Sequence, residues 1–493
     1  MPEHSPEFLA EVAGTGTVVN LSLISHTNVG KTTLARTLLG RDIGEVRDAA
    51  HVTELASGYV LVQAGEDTLM LWDTPGFGDT ARLLKRLRLA GNPLGWLLSQ
   101  VWDRWRERPL WASQQAVRNA REQADVILYL VNAGEDPAAA AYVPLEMEVL
   151  SWIGKPVVLL LNQMGPPRAG AAEEIERWRQ AVEGTVNLAG VLPLDAFARC
   201  WVQEGILLET IAPLLPDEKR PAMTGLIARW SELNRARFED SMAVLARALA
   251  DAATDQEAVG DASWHRRLGE MLFSKGRERP EVREAMGKLA ERLEASNRAS
   301  TDALIRLHNL SGKASHRILE RVAQHYSHRE KTPEGAAAAL GGLVSGAATG
   351  LAADLAAGGL TLGGGLIVGA IIGALGAGGL ARGVNMATGA DGASVRWSEA
   401  FFTEIIGAAI LRYLAVAHFG RGRGNWEEGE YPAFWLDMVR RELEDSQPEI
   451  GRIYASGKEM PAAEHIAPLQ ALLSAVTSRV LSRLYPGTAA AQT

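Results

Sequence analysis

Cysteine is nearly missing from this chain of 493 residues, in which Cys200 stands alone. That excludes an intramolecular disulfide framework and a cysteine-based zinc site, and it suits a reducing compartment. Positive charge is also in deficit, with 50 Lys and Arg against 59 Asp and Glu and a net charge of -9. A general polyanion-binding protein is disfavoured on that balance, and no nucleic-acid partner is expected. The opening MPEHSPEFLAEVAG carries three glutamates and no long apolar run, so a secretory signal is not expected and the chemistry is placed in the cytoplasm. Charge is scarcest in one place. Between Gly335 and Ala381 the only ionisable residue is Asp354, and 15 of the chain's 50 glycines fall there.

What is present is otherwise the composition of a globular protein, 47% hydrophobic and 22% charged, in a length that allows about three domains. Short apolar runs punctuate the first 200 or so residues: TVVNLSLIS from Thr17, YVLVQAG from Tyr59, DTLMLWD from Asp67, DVILYLVNA from Asp125, PVVLLLNQ from Pro156 and VLPLDAF from Val191. Several are apolar throughout, as strands buried on both faces of a parallel sheet are, and the intervals suit crossover helices. The expected class is a doubly wound α/β domain followed by an all-α region. After Pro221, segments such as EVREAMGKLAERLEASNRASTDALIRLHNL repeat apolar residues at helical spacing. The expected division is 1–215 for the α/β domain, 216–334 helical, 335–390 a glycine-rich apolar hairpin, and 391–493 a helical part that packs with 216–334.

The first run leads into Ser25-His26-Thr27-Asn28-Val29-Gly30-Lys31-Thr32-Thr33 and then LARTLLG. A glycine for close backbone approach, a lysine for β- and γ-phosphates and a hydroxyl for magnesium are the parts of a P-loop. Gly30, Lys31 and Thr32 supply them, with Ser25 in place of the first glycine. Backbone amides at the helix start would cradle phosphate with the helix dipole behind them. The third run ends in Asp73-Thr74-Pro75-Gly76, where Asp73 can hold magnesium through water and the Gly76 amide can meet the γ-phosphate. The expected nucleotide-binding set is Ser25, Asn28, Val29, Gly30, Lys31, Thr32 and Thr33.

With both motifs in order, the sequence resembles the translation-factor-related class of GTPases, most closely its Era and EngA-like branch. The resemblance implies GTP and GDP as ligands and slow, magnesium-dependent hydrolysis. It implies catalytic roles for Lys31, Thr53 and Gly76, and magnesium held by Thr32, Asp73 and the switch I threonine, Thr53. It also implies that Asn28 takes part in binding an activating potassium ion, the other reading being a turn asparagine. Phe77 follows Gly76 where related enzymes place a water-orienting glutamine, so the missing group must come from a cation, another residue or a partner protomer, as in a homodimer through the nucleotide domain. The base motif departs from the family pattern: Asn162-Gln163-Met164-Gly165 keeps the asparagine and loses the lysine and aspartate. Asp195 and Ala196 stand where the last base-contacting loop is expected. GTP is the expected nucleotide, with ATP or relaxed specificity as the other reading.

From Arg82 to Arg108, Arg and Lys are interleaved with Leu83, Leu84, Leu87, Leu89, Leu94, Leu97, Leu98 and three tryptophans, Trp96, Trp102 and Trp105. Two readings are open for this insert at about 77–124: an interfacial membrane helix, or an arm that packs on the helical domain and relays the switch state. The glycine-rich stretch has stripes at four-residue spacing, Gly342, Gly346, Gly350 and Gly365, Gly369, Gly373, which allow close helix pairing. Its longer half would reach about 40 Å as helix, against a hydrocarbon core of ~30 Å. Asp354 and the glycines oppose insertion, so a conditional span fits better than a permanent one. The alternatives are a hairpin buried in a soluble fold, or a flexible linker. From Leu411 onward, LRYLAVAHFGRGRGNW is similar to the C-terminal region of a group of bacterial GTPases with a glycine-rich apolar segment. The whole reads as a GTPase switch coupled to a helical region that meets membrane lipid or a membrane protein, peripheral or conditionally inserted at the inner membrane. A soluble scaffold or assembly factor, or a regulated pore, are the rivals.

Overall fold

The computed structural model describes residues 16–40, 56–89, 91–99, 107–164, 171–184, 187–194, 200–259, 280–310, 384–389, 392–418 and 434–485. The chain divides into two compact units, residues 1–235 with 418–430 and residues 236–417 with 431–493.

The first unit is built on a six-stranded sheet. Its elements are β1 (Val18–Ser25), α1 (Lys31–Leu39), β2 (Ser57–Ala64), β3 (Asp67–Asp73), α2 (Thr80–Leu87), α3 (Pro93–Ser99), α4 (Arg108–Glu122), β4 (Val126–Asn132), α5 (Tyr142–Ile153), β5 (Val157–Asn162), α6 (Ala171–Val182), β6 (Leu188–Pro193), α7 (Trp201–Ile211) and the start of α8 (Arg220–Thr254). The strand order is β2-β3-β1-β4-β5-β6. All pairings are parallel except β2 with β3, the arrangement expected of crossovers joined by helices. Alternation along β4 shows how the sheet is covered. Ile127, Tyr129 and Val131 belong to one apolar cluster, and Val126, Leu128 and Leu130 to another, because successive side chains leave opposite faces of a strand. The second cluster takes in Met223, Leu226 and Trp230, so the first turns of α8 belong to this core and the unit boundary lies inside the helix.

The insert after Phe77 packs mostly into its own unit, which neither of its sequence readings anticipated, and leaves Leu89 85% exposed. Leu83, Leu84 and Leu87 of α2, Leu94 and Leu97 of α3 and Leu110 of α4 are buried with Ile24, Ile127 and Tyr129 in the first unit's own core. The physical reason is that a basic amphipathic pattern requires one buried face without saying what covers it. The charges line the outer side: Arg82 and Arg86 approach Glu107 at 3.5 and 3.8 Å, and Arg88 Nε donates to Glu148 at 2.9 Å. Trp102 and Trp105 lie outside the described residues.

The second unit holds the rest of α8, β7 (Gln256–Ala258), α9 (Pro280–Leu307), β8 (Val384–Gly389), β9 (Gly392–Trp397), α10 (Glu399–Ala417), α11 (Phe434–Asp445), α12 (Gln447–Ser456) and α13 (Ala462–Leu484). It is mainly helical, with the addition of a small antiparallel sheet in the order β7-β9-β8. Helix α10 has the length and apolarity to cross a membrane, yet 78% of its most apolar window is buried inside the unit; it is the unit's central helix, with Phe402, Ile406, Ile410 and Leu414 inaccessible. Two buried charged residues here have partners among the described residues. Glu442 receives Arg479 Nε and Arg483 Nε, each at 2.6 Å, and Arg396 donates to the carbonyls of Ala253 and Tyr454. The 335–383 portion of the expected hairpin lies outside the described residues.

Candidate functional site

The candidate site forms at the C-terminal ends of β1, β3 and β5, where an open α/β sheet binds ligands. β1 ends at Ser25 and α1 begins at Lys31, so the intervening loop turns its amides toward the helix start. Two residues make this turn with positive φ, Asn28 at 66° and Gly30 at 100°. Glycine takes that conformation freely and asparagine tolerates it. A side chain at residue 30 would also crowd Asn162, whose Nδ2 lies 3.0 Å from the Cβ position.

Lys31 is only 7% exposed, and its Nζ donates to Ser25 Oγ at 3.0 Å. Burial pushes its pKa down, while the charges of Asp73 and Glu146 work the other way. A lysine held in this manner is a cation already desolvated and poised for phosphate. Thr32 Oγ1 donates to Asp73 Oδ2 at 2.7 Å, joining the P-loop hydroxyl to the carboxylate at the end of β3. Thr33, in the first turn of α1, is buried.

The DTPG segment is held by backbone. Thr74 Oγ1 donates to the Leu23 carbonyl at 2.6 Å. The Phe77 amide donates to the Ser25 carbonyl at 2.9 Å, and the Thr27 amide to the Phe77 carbonyl at 3.2 Å. Gly76 is required by this approach, since a Cβ there would lie 2.9 Å from Thr27 Cα. Phe77 is fully buried and packs in the core, which accounts for an apolar residue at that position.

Asn162, at the end of β5, donates from Nδ2 to the Val29 carbonyl at 2.9 Å. The structure therefore brings Ser25, Asn28, Val29, Gly30, Lys31, Thr32, Thr33, Asp73, Gly76 and Asn162 to one end of the sheet. Thr53, Asp195 and Ala196 lie outside the described residues.

Two residues of this region were not singled out in the sequence. His26 Nδ1 lies 2.6 Å from Oε1 of Glu146, and its ring stacks on Tyr142 with centroids 4.5 Å apart. Glu146 is inaccessible and also accepts from Tyr129 Oη at 2.6 Å and Thr80 Oγ1 at 3.1 Å. Burial raises its pKa, and His26, Tyr129 and Thr80 pull it back. The available signal was that Glu146 falls on the apolar stripe of α5, among Val143, Met147 and Leu150, where a carboxylate needs partners.

A hydroxyl and a carboxylate, both hard oxygen donors, fit a magnesium ion that takes its remaining ligands from water and phosphate. Thr32 and Asp73 are the described residues that would hold it.

Residues 20–163 match the family described as 50S ribosome-binding GTPase, and residues 184–446 match the domain of unknown function DUF3482. No curated protein matches the chain as a relative. Among solved structures, an Era variant from Aquifex aeolicus bound to GDP.AlF4- is 21% identical, with 41% of this chain and 58% of that chain covered and a TM-score of 0.30. Era with MgGDPNP and a piece of 16S ribosomal RNA is 20% identical, with the same coverage and TM-score. The FeoB G-domain from Methanococcus jannaschii is 15% identical, covering 36% of this chain and 86% of that one at a TM-score of 0.22. The chain thus spans under three-fifths of the Era structures it matches. Its nucleotide-binding unit is a P-loop GTPase domain, and with more than half of its length in the second match the chain belongs to the DUF3482 family.

Proposed function

We propose that this protein is a GTP-hydrolysing switch whose nucleotide state is coupled to a membrane-associating C-terminal region. The observation that carries the enzymatic part is the convergence of Lys31 with the Thr32–Asp73 pair, bonded at 2.7 Å, below a Gly76 amide that is backed onto the P-loop. In this reading the loop amides and Lys31 bind the phosphates, and Thr32 and Asp73 bind magnesium, which when present neutralises charge building on the transferred phosphoryl group. The Gly76 amide senses the γ-phosphate. Phe77, being buried, orients no water, so intrinsic turnover is slow.

The membrane part rests on residues 335–390. Their 335–381 portion carries Asp354 as its one ionisable group, and glycine stripes at four-residue spacing suit paired helices in a bilayer. With Leu83, Leu84, Leu87, Leu94 and Leu97 of the insert in the first unit's core, the glycine-rich segment is the better supported candidate to meet lipid. A protein that cycles in this way is cytoplasmic and peripheral, or conditionally inserted in the inner membrane. Flotation of the full chain with vesicles of bacterial polar lipids, in GTP, in GDP and with Lys31→Ala, tests the reading. Nucleotide-dependent flotation that Lys31→Ala abolishes is expected, and absence of flotation in every state refutes the membrane half while leaving hydrolysis to be measured separately.

A further inference from the structure

One side-chain network at the P-loop belongs to no part of the phosphate or metal machinery. Its centre is Glu146 on α5, which is separated from His26 by 120 positions. A carboxylate on the buried face of this helix is not needed for packing, since an apolar residue of similar size would fill the space without losing hydration. What a carboxylate adds is direction. Oε1 accepts from Thr80 Oγ1 at 3.1 Å and lies 2.6 Å from His26 Nδ1, while Oε2 accepts from Tyr129 Oη. One proton lies between Oε1 and His26 Nδ1, and with Glu146 ionised it is carried on Nδ1, since an ionised carboxylate only accepts. Tyr142 covers the His26 ring, and Lys31 feels the charge of Glu146.

The two partners of Oε1 stand on either side of the switch. His26 is a P-loop residue, bridged through its neighbours to Phe77. Thr80 is the first residue of α2. Gly76 thus lies on a segment pinned at Phe77 by backbone bonds to the P-loop and a few residues later by Thr80 through Glu146. Moving α2 from the P-loop must break the Thr80 bond or carry α5 along.

We propose that His26 and Glu146 are positioning residues for GTP hydrolysis, holding the P-loop and the start of α2 to one carboxylate oxygen and so fixing where the Gly76 amide stands relative to the γ-phosphate. The proposal rests on the hydrolytic reading above. It assigns neither residue to bond making; both act through Gly76 and its neighbours. Substrate affinity is set by Lys31 and the loop amides, so a loosened pair costs turnover more than binding.

The test is steady-state GTP hydrolysis by the full chain, beside its affinity for a fluorescent guanine nucleotide. His26→Ala is expected to lower kcat by about 10- to 100-fold, the size of a small misplacement near the reacting group, while affinity stays within about twofold. His26→Asn, which keeps a donor near the Nδ1 position, is expected to restore most of kcat. The double variant of His26→Ala with Thr80→Ala is expected to be little slower than His26→Ala, because both act through one oxygen. Unchanged kcat, no rescue by asparagine, or additive losses would overturn the proposal. Wild type no faster than Lys31→Ala refutes the hydrolytic reading instead. In that event hydrogen exchange at the Phe77 amide still tests the pair: exchange about tenfold faster in His26→Ala supports the latch, and unchanged exchange removes it.

Discussion

Asn162 Nδ2 donates to the carbonyl of Val29 at 2.9 Å, so the one residue kept from the guanine motif is fastened to the phosphate loop. Gln163 and Gly165 depart from the family pattern, and Gln163 adopts φ 61°. Asn162 therefore shapes the P-loop before it reads any base. Asn162→Ala is expected to weaken GTP and GDP binding alike by about tenfold, the worth of one buried hydrogen bond left open. Titration of a fluorescent guanine nucleotide against GTP, GDP and ATP measures this. A variant that kept its affinity but lost preference for guanine would show that Asn162 contacts the base instead.

The Thr32–Asp73 bond of 2.7 Å gives a second prediction. Asp73→Asn keeps the size and an acceptor for Thr32 but removes the negative charge that a magnesium ion requires. Turnover of GTP is expected to fall by about 100-fold or more, as when a transition-state charge partner is removed, with GDP affinity changed far less. Phosphate release against magnesium concentration is the measurement. Equal magnesium dependence in wild type and Asp73→Asn would show that Asp73 is not the metal-holding carboxylate.

These two bonds also show what could be read from residues alone. Gly30, Lys31, Thr32 and the Asp73–Gly76 segment follow fixed local spacing because phosphate imposes it, and the strands of the first unit advertise themselves through runs such as VVLLLN. Local spacing says nothing about partners far apart in the chain. His26 and Glu146 meet across 120 positions, and only the misplaced carboxylate among Val143, Met147 and Leu150 hints at it. The same limit explains the insert: Leu83, Leu84 and Leu87 announce a buried face, while arginines at Arg82, Arg86 and Arg88 suit a membrane, a second domain or the same domain equally well. The small sheet of the second unit is hidden for another reason. β7 is only three residues long, too short to show a period of two.

Alkaline pH should unfold the first unit through Tyr129. Its hydroxyl is buried and donates to Glu146; burial first, then the charge and hydrogen bond of Glu146, hold its pKa well above the usual tyrosine value. A group whose pKa is raised by folding contributes stability that is present below its unfolded pKa and lost as pH climbs above it. The unfolded tyrosine ionises near pH ~10, so beyond that point stability should fall by about 1.4 kcal/mol per pH unit for this one proton. Tyr129→Phe removes that proton and should flatten the decline by the same amount. Urea unfolding of both proteins from about pH 9 to 11.5 checks it, and parallel pH profiles would refute the assignment.

Potassium dependence is the remaining test of the catalytic reading. Phe77 is buried, and a cation beside the phosphates is one of the sources left for the missing catalytic group. Asn28 is exposed on the loop with φ 66°, a backbone that glycine adopts without strain and alanine does not. Asn28→Gly therefore removes the side chain while keeping the turn, which separates a ligand from a turn former. Wild-type turnover in KCl is expected to exceed that in NaCl by about tenfold or more, an electrostatic contribution of the usual size for one added cation, and Asn28→Gly is expected to erase the difference. Equal rates in the two salts would remove the potassium site. A difference that survives in Asn28→Gly would place the cation on other ligands and leave Asn28 as a residue of the turn.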